Sequence, residues 1–155
     1  MTSPVEDGLR MLARRPYTAA EIRTKLREMG HDPEDVRTAM RRLDELGYLD
    51  DLQAARATVR RRIRMPRGRR QVARELHRRG CSDEVVEAAL ADFDEESVAL
   101  DLVTRERKAG RTRQGLVRHL RSRGFPDPLI LRILDESDIP GPFGEAPESP
   151  DGSFS

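Results

Sequence analysis

Gln71-Val72-Ala73-Arg74-Glu75-Leu76-His77-Arg78-Arg79-Gly80 has two gapless counterparts in the same chain. They are Glu21-Ile22-Arg23-Thr24-Lys25-Leu26-Arg27-Glu28-Met29-Gly30 and Gly115-Leu116-Val117-Arg118-His119-Leu120-Arg121-Ser122-Arg123-Gly124. Each carries apolar residues at i and i+4 and ends in glycine, which is the helical period followed by a stop. A second apolar pattern follows each segment in the same register. Val36, Val86 and Ile130 align, as do Ala39, Ala89 and Ile133, and Met40, Leu90 and Leu134. A unit written three times in one short chain predicts a repeat architecture.

The residues between the periodic stretches read as helix ends. Ser3-Pro4-Val5-Glu6 sets an N-cap, a proline at the first helical position and a glutamate at the third in order, and Thr18 with Glu21 forms a second capping box. Asp32 before Pro33 and Ser82 before Asp83 open later helices. Gly30, Gly80 and Gly124 supply the left-handed residue that closes one. Further helices are expected over about 4–14, 51–63 and 95–109. No segment alternates with period 2 long enough to make a sheet. The chain is therefore expected to be all-α: three tandem three-helix, helix-turn-helix-like repeats over 4–48, 49–93 and 94–136, stacked into an elongated, curved array. Residues 137–155 hold four prolines, three glycines and few apolar groups, and are expected to be disordered.

Composition agrees with thin helical layers. Of 155 residues, 36% are hydrophobic and 37% charged, with no Trp and six Phe plus Tyr, so a large single core is excluded. No run is long and apolar enough to span a bilayer, and no signal peptide is recognisable. Cys81 is alone, which rules out an internal disulfide and fits a reducing cytoplasm; it reads as a small, half-buried residue. The net charge of +1 hides an uneven distribution. Residues 137–155 carry Asp138, Glu145, Glu148 and Asp151 and no base, leaving 29 basic against 24 acidic residues in 1–136. Within Arg56–Arg79 there are eleven arginines and one acid, Glu75. A field of that kind attracts polyanions or acidic protein surfaces.

The junction Leu46-Gly47-Tyr48-Leu49-Asp50-Asp51 stops one helix and starts the next at once. Gly47 suits the left-handed cap position, Tyr48 is expected to pack back on the helix just ended, and Asp50 with Gln53 forms a further capping box. With Arg67-Gly68-Arg69-Arg70, Glu75-Leu76 and Gly80 downstream, this resembles the RecX family, over residues 5–136. That family carries a Gly-Tyr-(Leu/Ile)-Asp-Asp junction and a basic-Gly second repeat. After the junction the family usually has an arginine, an aromatic, an alanine and a second aromatic. This chain has Gln53, Ala54, Ala55 and Thr58 there, so the middle unit is expected to pack differently from its relatives. The resemblance implies a non-enzymatic regulator that binds the filament of the RecA recombinase on DNA. It also implies that filament growth, ATP hydrolysis and strand exchange are inhibited.

If the repeats share one scaffold, function lies where they differ. In the middle helix of the second unit, Val72 and Leu76 mark the buried face, and Arg67, Arg70, Arg74 and Arg78 gather opposite. Positions aligned with the last three hold Ala20, Thr24 and Glu28 in the first unit and Gln114, Arg118 and Ser122 in the third. The preceding helix buries Leu52, Ala55, Val59 and Ile63, which turns Arg60, Arg61 and Arg64 outward. These seven arginines form the candidate site for a partner protein or DNA. A solvated charged face is the bland alternative. It leaves the repulsion of eleven arginines beside one acid unexplained.

Two other readings compete. A helix-turn-helix protein that reads DNA directly, single- or double-stranded, would use the helix after each glycine turn. That helix carries Asp83, Glu84, Glu87 and Asp92 and no base in the second unit, only Arg132 in the third, and Arg37, Arg41 and Arg42 in the first. A generic helical scaffold is the third reading. Catalysis finds no support. His31, His77 and His119 are scattered one per unit, no metal-ligand spacing or phosphate loop occurs, and Asp50/Asp51 and Glu95/Glu96 have helix-start roles available. No cofactor or metal is expected, and the chain is expected to be a monomer.

Overall fold

The computed structural model describes residues 2–138 and is helical throughout, with no strand among them. Its helices are α1 (Pro4–Arg14), α2 (Ala19–Glu28), α3 (Pro33–Glu45), α4 (Asp51–Arg64), α5 (Arg69–Arg78), α6 (Asp83–Leu90), α7 (Glu95–Lys108), α8 (Arg113–Ser122) and α9 (Asp127–Asp138). This is the all-α repeat fold expected. α9 runs through Asp138, into the segment expected to be disordered; the rest of that segment, 139–155, lies outside the described residues.

The caps form where side-chain chemistry places them. Ser3 with Glu6 and Thr18 with Glu21 make complete capping boxes. Asp32 accepts from the Glu34 amide and Ser82 from the Val85 amide. Gly30, Gly47, Gly80 and Gly124 all take positive φ, between 77° and 92°. Two details of the junction differ from expectation. Asp50 accepts from the Gln53 amide, but the Gln53 side chain does not return the bond. Tyr48 is half-exposed rather than folded back, although its amide closes the helix end on the Leu43 carbonyl. Leu49, the next residue, packs on the first unit's core instead.

Close helix pairing falls within three triplets, α1–α3, α4–α6 and α7–α9. The apolar positions shared by the repeats, Ile22/Val72/Leu116 and Leu26/Leu76/Leu120 among them, are almost wholly buried. Their side chains do not form three separate cores. Met11, Ile22, Leu26, Val36, Met40 and Leu43 make one cluster within the first triplet. The second and third triplets share a continuous cluster that runs from Ala55 to Leu134. Ile63 is half-exposed, contrary to its expected place on the buried stripe of α4. The buried face of α4 turns at Ala54, Ala55, Thr58 and Val59.

The junctions between triplets are polar and repeat one design. At the first, the Thr18 hydroxyl donates to the Arg79 carbonyl at 2.5 Å, and the Ala19 amide donates to the Asp51 carboxylate at 2.8 Å. At the second, the Gly68 amide donates to the Arg123 carbonyl at 2.8 Å, and the Arg69 amide donates to Glu95. All four pairs fall on the repeat register. The starts of α2 and α5 are thus capped by the next unit, which answers amides that the helix itself leaves unbonded. Gly68 allows the tighter approach: a Cβ there would lie 2.1 Å from the Gly124 carbonyl oxygen.

Candidate functional site

The arginines of Arg56–Arg79 divide into two groups by what they touch. Four are engaged by the protein itself. Arg62 makes a two-pronged pair with Glu75 at 2.8 and 2.9 Å, and Arg61 reaches the same carboxylate at 3.4 Å. The Arg62 bonds, with lesser help from Arg61 and Arg79, hold the Glu75 carboxyl below its ordinary pKa against its partial burial. Arg69 donates to the carbonyls of Leu90 and Phe93 at the end of α6. Arg79 lies across the first junction. It bonds to Glu21, Thr58 and the Pro16 carbonyl, and with its side chain is only 14% exposed.

Arg79 also explains the missing aromatics. Ala54 and Thr58, which replace them, are fully buried. The Arg79 guanidinium lies against both, donating to the Ala54 carbonyl and the Thr58 hydroxyl.

The remaining arginines, among them Arg60, Arg64, Arg67, Arg70, Arg74 and Arg78, make no hydrogen bond or ion pair among the described residues. Arg60 and Arg64 stand exposed along α4. Arg67, Arg74 and Arg78 line one groove of about 390 Å³ together with Arg62, Gln71, Glu75 and Ser122. The groove lies between α5 and the end of α8. Arg70 is not part of it. It lines a separate concavity with Ala73, Arg121, Phe125 and Pro126. Gly68 is the N-cap of α5, so Arg67 precedes the helix. Arg67 enters the groove from the loop, half-buried.

Its surroundings are strongly basic. Burial, and then the guanidinium groups of Arg123 and Arg62, hold the Arg67 pKa below its ordinary value, with Glu75 a smaller opposing influence. Glu75 is already occupied by Arg62 and Arg61. The groove therefore gathers Arg62, Arg67, Arg74 and Arg78 around a single, already paired carboxylate, an arrangement suited to phosphate or carboxylate. Sequence reading missed Arg62 as part of it and Arg123 as a basic neighbour of Arg67. Arg123 was detectable in principle, because it aligns with Arg79 beside the terminal glycine of its repeat.

On the competing recognition helix, α3, two of the three arginines make exposed ion pairs. Arg37 bonds to Glu34 at 2.9 Å and Arg42 lies 3.6 Å from Glu45. Cys81 is buried more deeply than expected, and burial raises its thiol pKa. Among the described residues there is no cluster of metal-ligating side chains, and no helix is long and apolar enough to cross a membrane.

Residues 6–43 match the first three-helix domain of RecX, and residues 50–90 match the second. The chain belongs to the RecX family. Its relatives include the regulatory protein RecX of Halorhodospira halophila, 35% identical over 147 residues, covering 88% of this chain and 91% of that protein. The RecX of Prosthecochloris aestuarii is 34% identical, covering 79% of this chain and 85% of that protein. The crystal structure of RecX from Lactobacillus salivarius has the same fold. It superposes with a TM-score of 0.73 at 20% identity, over 87% of this chain and 94% of that one. The Gly-Tyr-Leu-Asp-Asp junction that suggested RecX falls between the two matched domains and enters the second.

Proposed function

We propose that this RecX-family chain binds the RecA–DNA filament and restrains filament growth, ATP hydrolysis and strand exchange. The groove of Arg67, Arg74 and Arg78 is its main contact, and Arg60, Arg64 and Arg70 extend the basic face around it. The units 4–48, 49–93 and 94–136 act as successive modules of one binding surface. The chain acts by occupying that surface, with no chemical step, no cofactor and no second copy required. The observation that carries the reading is the gathering of Arg62, Arg67, Arg74 and Arg78 in one groove whose single carboxylate, Glu75, is already held by Arg62 and Arg61. Such repulsion destabilises the free protein and is relieved when an anionic partner arrives.

Co-sedimentation of the protein with preformed RecA–single-strand DNA filaments, beside the same DNA alone, tests it. Binding to the filament at concentrations where bare DNA is left unbound supports the regulator. Equal binding to both favours the reading in which the basic face takes DNA directly. A protein that sediments with neither is the plain scaffold.

A further inference from the structure

The groove at Arg67 holds charge that the described residues leave unanswered, and the same chain carries its complement. Arg67, Arg74 and Arg78 make no ion pair among the described residues, and Glu75 is held by Arg62 and Arg61. Residues 139–155 have Glu145, Glu148 and Asp151 and no Lys, Arg or His. In Glu145-Ala146-Pro147-Glu148-Ser149-Pro150-Asp151 an acid stands at every third position, with a proline before two of them. An extended proline-type strand has three residues to the turn and rises about 3.1 Å per residue, so that spacing puts three carboxylates on one side over roughly 19 Å. The arginines form a row of similar length. Arg74 and Arg78 lie one turn apart on α5, whose ten residues span about 15 Å, and Arg67 stands just before its start.

The chain is long enough to bring the two rows together. Ser122, at the end of α8, borders the groove, and Arg121 bonds to Asp127 at the start of α9 at 2.7 Å. α9 has 12 residues, so the way back from Asp138 to Ser122 is about its length, roughly 18 Å. The seven residues from Asp138 to Glu145 cover about 23 Å when extended. Other basic groups suit the acids less well. Beyond α7, Arg111 is paired with Glu106 and Arg113 with Asp135. The opening between α2 and α3 sets Asp44 and Asp51 beside its arginines, and these repel an acidic strand.

We propose that Glu145, Glu148 and Asp151 lie along Arg67, Arg74 and Arg78 in the free protein, so that the chain covers its own basic groove until an anionic partner displaces the segment. The contact stands on its charge, spacing and reach. Its displacement rests on the reading of this groove as the partner's site. Exposed pairs of this kind add little to stability, so melting does not report on them.

NMR of the full chain tests the contact. Glu145→Gln, Glu148→Gln and Asp151→Asn together should move the Nε–Hε resonances of Arg67, Arg74 and Arg78 and leave those of Arg23, Arg27 and Arg105 in place. High salt should move the wild-type groove resonances the same way, because it screens the pairs. Tenfold dilution of the wild type should move none of them, since the contact lies within one chain. The neutralised protein is also expected to bind preformed RecA–single-strand DNA filaments at least threefold more tightly. Groove resonances that stay in place on neutralisation, or that change on dilution as a contact between copies would, overturn the proposal. So does a response confined to Arg23, Arg27 or Arg105. Groove resonances that move while filament affinity does not would uphold the contact and remove the groove from filament binding.

Discussion

Arg79 and Glu21 meet across the junction of the first two units, with Nη2 2.8 Å from the Glu21 Oε1. The two lie 58 residues apart in sequence. The first unit has its own apolar cluster, whereas the second and third share one. This pair and its neighbours therefore tie together two parts that apolar packing does not join. Replacing Arg79 with alanine strands a partly buried carboxylate and the Thr58 hydroxyl, and is expected to cost about 2–4 kcal/mol. Arg79→Lys should recover only part, since an ammonium cannot serve Glu21, Thr58 and the Pro16 carbonyl together. Urea unfolding of both variants checks this; an Arg79→Ala protein as stable as wild type would contradict it.

Acid should loosen the same contacts. Burial pushes the Glu21 carboxyl up, but the Thr18 bond and the Arg79 guanidinium outweigh it and hold the pKa below its ordinary value. Glu75 is lowered by Arg62, and Asp7 by Thr2 and then His31, 2.7 Å away. A carboxyl whose folded pKa is depressed favours the folded state above its unfolded pKa. That contribution fades as pH falls through the folded value. The melting temperature is therefore expected to be level down to about pH 4.5 and to drop below it, as carboxylates near 4 begin to protonate in the unfolded chain. Arg79→Ala with Glu21→Gln should flatten that drop. An unchanged slope would remove Glu21 from the account.

Two glycines separate backbone cost from packing cost. Gly30 and Gly80 have nearly equal φ, 92° and 90°. A Cβ at Gly30 meets nothing within 4 Å, whereas one at Gly80 would lie 2.4 Å from the Ala20 Cβ. Gly30→Ala should cost about 1–2 kcal/mol, the strain of a left-handed alanine. Gly80→Ala adds the clash at the junction and should exceed it by at least about 1 kcal/mol. Equal losses would mean that the junction yields freely.

The helices and their ends were legible because caps and periodicity act within a few residues. Ser3, Thr18, Asp32, Asp50 and Ser82 each accept from an amide two or three positions on. The basic face was legible only as a concentration of charge. Which arginines are free depends on partners far along the chain. Arg69 finds carbonyls at the end of α6, Arg79 finds Glu21, and Arg123 arrives from the third unit. Helical spacing also misplaced two residues. It set Arg70 with Arg67, Arg74 and Arg78, although Arg70 lines a separate concavity, and it buried Ile63, which is half-exposed. The inter-unit caps at Asp51 and Glu95 were read as local helix starts, because nothing in one helix shows that its first carboxylate serves another.

The central claim is that Arg67, Arg74 and Arg78 meet the partner while Arg62, Arg69 and Arg79 hold the fold. The direct measurement is the affinity of the Arg67→Ala/Arg74→Ala/Arg78→Ala variant for preformed RecA–single-strand DNA filaments, taken beside its melting curve. Alanine is the best helix former and the three groups bond to nothing in the protein, so melting should hold or rise slightly. At about 1 kcal/mol for each arginine at an interface, filament affinity should fall roughly a hundredfold. Wild-type affinity in a variant that melts normally would contradict the claim and leave the groove a solvated face.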